Sequence, residues 1–205
     1  MPRRSTQSSL AVVVAGVAGI VALGSQRDGA RSSATATRPT AALPDTRWTV
    51  EQPDLAALLG RGVVWASAVT GWSSEWSGDR NGARQVVGPP DVYPTLGDAP
   101  GAWASQATHG GPEWITVDFG EPVQATGLLW VETFNPGAVV RVDDVSTPSS
   151  PVVLWEGVGR AGHAAAVPTL TLVHPRMMSA VRLVLDTRRV AGWNEIDAVG
   201  LVRAP

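Results

Sequence analysis

The chain has no cysteine and no lysine. The first absence excludes disulfides, thiolate metal sites, a cysteine nucleophile and an acylated lipoprotein cysteine, which leaves packing, with at most an oxygen-ligated ion, to hold the fold. The second makes all 16 basic residues arginine, a matter of composition to which we attach no function. The formal net charge is −2 and no basic block occurs. The electrostatic footprint of a nucleic-acid binder is therefore missing.

Catalytic signatures are also scarce. The three histidines, His109, His163 and His174, are scattered and form no pair at metal-ligand spacing on a helix. No G-x-S-x-G elbow, phosphate-cradling P-loop or G-x-G-x-x-G turn is present. No repeat of 20–50 residues is visible, which argues against propellers and solenoids. The one helix-like stretch is short, "PDLAALLG" at 53–60.

What the chain does have begins with an address. Arg3 and Arg4 precede an uncharged stretch whose apolar centre is "LAVVVAGVAGIVALG", 10–24, and Ala22-Leu23-Gly24 offers a small-x-small cleavage site. This is the layout of a secretory signal over 1–24, with an uncleaved membrane anchor as the alternative. Both readings export the rest of the chain, to a secreted or extracytoplasmic location where only the N-terminal segment meets the membrane. Residues 25–46 are rich in Ser, Thr, Ala and Pro without apolar period, as a flexible linker would be. One folded domain is expected over 47–205, and a 44% apolar share is enough for its core.

That domain reads as strands. "EWITVDF" places Ile115, Val117 and Phe119 on one face against Trp114, Thr116 and Asp118 on the other. "SAVRLVLDT" likewise opposes Val181, Leu183 and Leu185 to Arg182, Val184 and Asp186. Strict alternation of this kind predicts strands with one buried face. Further apolar runs at 62–69, 126–133, 137–144, 151–157, 168–174 and 196–203 lie between Gly, Pro, Asn and Asp punctuators. Many short strands without intervening helices predict an all-β sandwich or barrel. "NPG" at 135–137 reads as a tight corner, because Gly admits positive φ and Pro does not sit in a central ladder. The long exception is 70–112, turn-rich and aromatic-rich, and segments of that length inside a compact domain tend to be functional.

Candidate site residues concentrate in that segment. Trp72, Trp76, Tyr93 and Trp103 are the candidate ligand-binding aromatics, since a ring face can lie against a pyranose. Burial as loop anchors is the alternative for the same rings. Asp91 and Asp98 in the loop and Glu195 before the last strand are candidate oxygen donors to a structural calcium, which needs six to eight oxygens. Solvated turn residues are the alternative there.

Three phrases in order, "ARQVVGPPDVYPTLGDAPGAW" (83–103), "ETFNPGAVVRV" (132–142) and "GWNEIDAVGLV" (192–202), resemble a divergent branch of the discoidin-like, galactose-binding-like domains, as found in F-box leucine-rich-repeat proteins with a discoidin-like module and in pappalysin-like and bacterial envelope proteins. The resemblance covers about 62–203. It implies an eight-stranded jelly-roll β-sandwich whose loops at one end bind carbohydrate, lipid head groups or protein, without catalysis by the domain itself. It also implies a structural calcium, with Glu195 in the role of the acid entering the last strand and Asp91 and Asp98 nearest to the loop role, although "GPPD" departs from the common ion loop. The expected function is an exported, non-catalytic ligand-binding module, with carbohydrate or glycoconjugate as first ligand class. Docking of an envelope or secreted protein is the second reading and an exported hydrolase the third.

Overall fold

The computed structural model describes residues 46–205. The segments expected over 1–24 and 25–46 lie outside the described residues, except for Thr46, which opens the first strand. The elements in order are β1 (Thr46–Glu51), α1 (Leu55–Leu59), β2 (Val63–Trp65), β3 (Ala68–Trp72), β4 (Trp103–Ala104), β5 (Pro112–Phe134), β6 (Val139–Asp144), β7 (Val152–Glu156), β8 (Val167–Asp186) and β9 (Glu195–Arg203). The helix starts at Asp54, whose carboxylate accepts the Ala57 N–H at 2.7 Å as an N-cap should.

All strand pairs are antiparallel, and the register resolves them into two layers. In the first layer β3 pairs with the front half of β5, which pairs with the rear half of β8, followed by β6 and β7. In the second, β1 pairs with the front half of β8, which pairs with the rear half of β5, followed by β9. The far edge of β9 carries both β2 and β4. Ile115, Val117, Val181, Leu183 and Leu185 of the first layer share one buried cluster with Leu128, Trp130, Leu170, Val199 and Leu201 of the second. This is the all-β sandwich that the resemblance implies, and its core is the apolar filling between the two layers.

The alternation read from 113–119 and 179–187 is borne out except at Thr116: Ile115, Val117, Phe119, Val181, Leu183 and Leu185 are buried, Trp114, Asp118, Arg182, Val184 and Asp186 are partly open, and Thr116 is buried although it was expected on the open face. Two pairs of expected strands instead prove continuous. The punctuators of 119–126 and 174–178 give register shifts within β5 and β8 rather than breaks, and Val123, Gln124 and Ala125 still pair with Met178, Met177 and Arg176. β-Bulges bend a strand without ending its ladder, so each long strand passes from one layer into the other. The reverse happens at 62–69, expected as one strand. Ala66 donates to Val199 O at 3.0 Å and Ser67 to Asp118 O at 2.8 Å, so the edge chain leaves the second layer as β2 and joins the first as β3.

A second buried cluster lies against the second layer. Leu129, Val131, Val167 and Ala198 are covered there by Leu58 of α1 and by Tyr93.

The layer change in β5 requires a residue without Cβ. A Cβ on Gly127 would stand 2.6 Å from the carbonyl oxygen of Leu170. Gly127→Ala is expected to destabilise the domain by about 1–3 kcal/mol, read as a lower urea midpoint. An unchanged midpoint would show that β5 and β8 can separate there at no cost.

Candidate ligand pocket

The long segment between β3 and β5 is held by side-chain acceptors that meet its backbone N–H groups. Asp197 of β9 accepts from Asp91 N at 3.2 Å, Val92 N at 3.2 Å and Tyr93 N at 2.8 Å. Glu195 accepts from Ala99 N at 3.1 Å and from the Asn81 amide at 3.3 Å. That amide also donates to Ala99 O at 2.7 Å and Ala102 O at 3.1 Å. Glu75 accepts from Ala83 N at 2.7 Å, at the start of a single 3₁₀ turn. A loop must satisfy its buried N–H groups somewhere, and here the head of β9 does much of that work.

The same contacts shape a cavity of about 360 Å³ lined by Trp76, Arg80, Asn81, Asp98, Ala104, Trp193 and Glu195. Trp76 and Trp193 meet edge to face, with ring centroids 5.2 Å apart and planes at 74°. Trp76 is 53% exposed while its backbone N–H is fixed to Ala104 O at 2.9 Å. Trp193 is fixed through its indole N–H to Ser105 O at 3.1 Å. Asn135 donates to Trp193 O at 2.8 Å, and Asn194 donates to Asn135 O at 2.6 Å. The corner at 135–137, with φ of 44° at Asn135 and 111° at Gly137, thus sets the backbone that presents Trp193. Glu132 braces that corner by accepting Gly137 N at 3.0 Å.

The expected aromatics divide sharply. Trp103 is fully buried and its indole N–H donates to Ser74 O at 3.1 Å. Tyr93 is buried in the second cluster, with its hydroxyl on Pro53 O. Neither presents a ring to a ligand, which corrects the binding role expected for both: they anchor the loop to the core. Trp72 is exposed on β3 but lies outside the cavity lining. Of the four, Trp76 alone lines the cavity, and its partner is Trp193, which lies far along the chain in "GWNE". Arg80 and Asn81 were not foreseen; "RNG" signals only a turn.

The three carboxylates expected to hold calcium form two separate arrangements. Asp98 stands beside Glu195, whereas Asp91 stands beside Asp197. Among the described residues no three His, Asp or Glu side chains are grouped around a common point. Asp91 thus lies apart from the Asp98–Glu195 pair, and both Glu195 oxygens accept N–H groups of the loop segment, so the expected trio does not converge on one calcium ion.

Burial governs the acids at this end of the sandwich. Desolvation pushes Glu195 up to about 8; the Ala99 N–H opposes the rise, and the charge and hydrogen bond of Asp98 and the charge of Asp197 reinforce it. Desolvation pushes Asp197 up to about 6 against the pull of the Tyr93, Asp91 and Val92 N–H groups. Glu132 is pushed up to about 7 by desolvation, opposed by the Trp130 indole and the Gly137 N–H. Burial thus shifts each acid toward its neutral form relative to its ordinary value.

No family model matches the chain, and no curated protein matches it. Among solved structures it is similar to chitosan-binding module 1 derived from a chitosanase/glucanase of Paenibacillus sp. IK-5, at 16% identity over 67% of this chain and 96% of that one, with a TM-score of 0.48. It is similar to CpGH89CBM32-6 of Clostridium perfringens at 11% identity over 50% of this chain and 76% of that one, with a TM-score of 0.40. A GH29 fucosidase of Ruminococcus gnavus, solved with fucose, is 16% identical over 75% of this chain and 27% of its own, with a TM-score of 0.45. At TM-scores of 0.48 and lower the fold assignment rests on the strand register, and the reading of the pocket rests on its own residues.

Raised carboxyl pKa values make the fold more stable in acid. The unfolded chain ionises Glu195 near 4.5, while the folded chain keeps its proton until about 8, so stability present below the lower value is lost as pH rises through the window. Glu132 and Asp197 act with the same sign. The expected slope is about 1.4 kcal/mol per pH unit for each carboxyl protonated only when folded. Urea midpoints between pH 5 and 8.5 check this, and Glu195→Gln should flatten the profile. A profile equally steep in the variant would remove Glu195 as the cause. Chelation of divalent ions is expected to leave the wild-type melting temperature unchanged, and a chelator-sensitive melt would require an ion site built from other oxygens.

Proposed function

We propose that this domain is an exported, non-catalytic carbohydrate-binding module that takes a sugar ring in the pocket between Trp76 and Trp193. The single observation that carries the reading is the two-ring corner set into a cavity with polar side chains beside it. A narrow concave arrangement of rings suits a pyranose, whereas a docking surface for another protein would spread its aromatic anchors over a flatter patch. The cavity of about 360 Å³ falls within the range of small-molecule sites, about 300–1,000 Å³. Arg80 and Asp98 are exposed at its rim and form no ion pair among the described residues. Both are open to hydrogen bonds with sugar hydroxyls. Export rests on the signal-like layout of 1–24.

The carboxyl groups support binding rather than hydrolysis. Glycoside cleavage uses two carboxyls on either side of the scissile bond, about 5–5.5 Å apart or about 6.5–9.5 Å apart. Asp98 and Glu195 are instead hydrogen-bonding neighbours, and both Glu195 oxygens are engaged by the loop. Two carboxyls in direct hydrogen-bond contact do not flank a glycosidic bond.

The test is a glycan and polysaccharide screen with the full chain, followed by calorimetry on the best ligand. Trp76→Ala is expected to weaken binding by about tenfold or more with an unchanged circular dichroism spectrum, and Trp72→Ala to leave affinity as it is. A folded wild-type protein that retains no glycan would overturn the reading and move weight to protein docking, as would a Trp76→Ala variant that binds like wild type.

A further inference from the structure

A second groove lies on the outer face of the first layer, built from other elements than the Trp76–Trp193 pocket. Its volume is about 350 Å³, and its lining includes Trp114, Thr116, Asp118, Pro148, Pro151 and Arg182. The alternation of β5 and β8 turns Trp114, Thr116 and Arg182 away from the core, and Thr116 and Arg182 are direct register partners.

Arg182 is held there without an anionic partner. Its guanidinium carbon stands 4.7 Å from the centroid of the Trp114 ring, at a distance where the aromatic face attracts the cation. The ring reaches this position because β3 carries Gly71: a Cβ there would stand 3.0 Å from Trp114 Cζ3. Arg182 Nε donates to the buried Thr116 hydroxyl at 2.9 Å. Two carboxylates of the neighbourhood, Asp143 and the groove-lining Asp118, form no ion pair with it. Asp143, its register partner on β6, accepts Arg141 Nε at 2.7 Å. Asp118 accepts the Gly120 N–H at 2.7 Å. Among the described residues no acid lies within ion-pair distance of Arg182, and its two terminal nitrogens have no protein acceptor.

We propose that this groove is a second ligand site, for the carboxylate of an acidic sugar such as a uronate residue in a polysaccharide. A planar guanidinium fixed by stacking and by one hydrogen bond offers its remaining N–H fork to a carboxylate in bidentate geometry. The groove is too large for a bare ion alone, and Pro148 and Pro151 supply apolar wall for a sugar ring. The site does not depend on the Trp76–Trp193 pocket. One chain then engages a sugar at the loop end and an acidic sugar on the sheet face.

The experiment is calorimetry of the full chain with a uronate oligosaccharide, its neutral counterpart and sodium acetate, repeated on Arg182→Gln, Pro148→Glu and Trp76→Ala. The uronate oligosaccharide is expected to bind about tenfold or more tightly than the neutral one. Arg182→Gln should abolish that preference and Trp76→Ala should leave it intact. Pro148→Glu places a repelling charge at an exposed lining position and should weaken uronate binding even where Arg182→Gln fails to fold. A uronate preference that survives either substitution at the groove would overturn the proposal. So would acetate competing as well as the oligosaccharide, which would mark an adventitious anion only. Loss of the preference in Trp76→Ala would assign it to the other pocket.

Discussion

The arrangement on which the binding end depends is the pair of buried acids at the head of β9. Glu195 and Asp197 stand two residues apart and between them receive N–H groups from Asn81, Asp91, Val92, Tyr93 and Ala99. A loop of some forty residues has too little regular structure to satisfy its own backbone, and a buried N–H without a partner costs about 1–3 kcal/mol. Two side chains on a central strand thus bring the segment from Asn81 to Trp103 against the sheet. Trp103 and Tyr93 add apolar weight from the loop side, and burial of rings that size is among the larger favourable contributions a loop can make.

The corner at Asn135, Pro136 and Gly137 acts on the same end from the opposite direction. It closes the passage from β5 to β6, and its asparagine side chain and backbone oxygen hold Trp193 and Asn194 just before β9 begins. Glu132 supplies the acceptor that the corner's Gly137 N–H needs. Trp193 is therefore placed by architecture, while Trp76 is placed by the loop, and the pocket forms where the two meet. Acidity and recognition are linked there: the packing that organises the pocket wall also keeps water from its carboxyls and raises their pKa values.

The outer face of the first layer follows a different logic. Its side chains are positioned by strand register alone, with no loop required to fold over them. Gly71 leaves the space, Trp114 lies in it, and Arg182 rests above the ring. Rigid strands hold such a constellation with less freedom than loops do. The two grooves therefore differ in origin.

The strands and the sandwich were legible in the sequence because a half-buried strand writes its two faces into alternating residues, as at 113–119 and 179–187. The corner at 135–137 was legible because only a few residues accept its backbone angles. Tertiary structure decided the rest. Whether the punctuators near Gly120 and Pro175 ended a strand or merely bent it depended on the partner strand continuing opposite them. Which tryptophans faced solvent was likewise undetermined, since loop residues have no period: Trp103 and Trp76 read alike in sequence, yet one fills the core and the other lines a cavity with Trp193. The acids Asp91, Asp98 and Glu195 suggested one ion site by type and count, and folding distributed them over two places. Local pattern reports which face of an element is apolar, and only the packed chain determines which distant groups share a site.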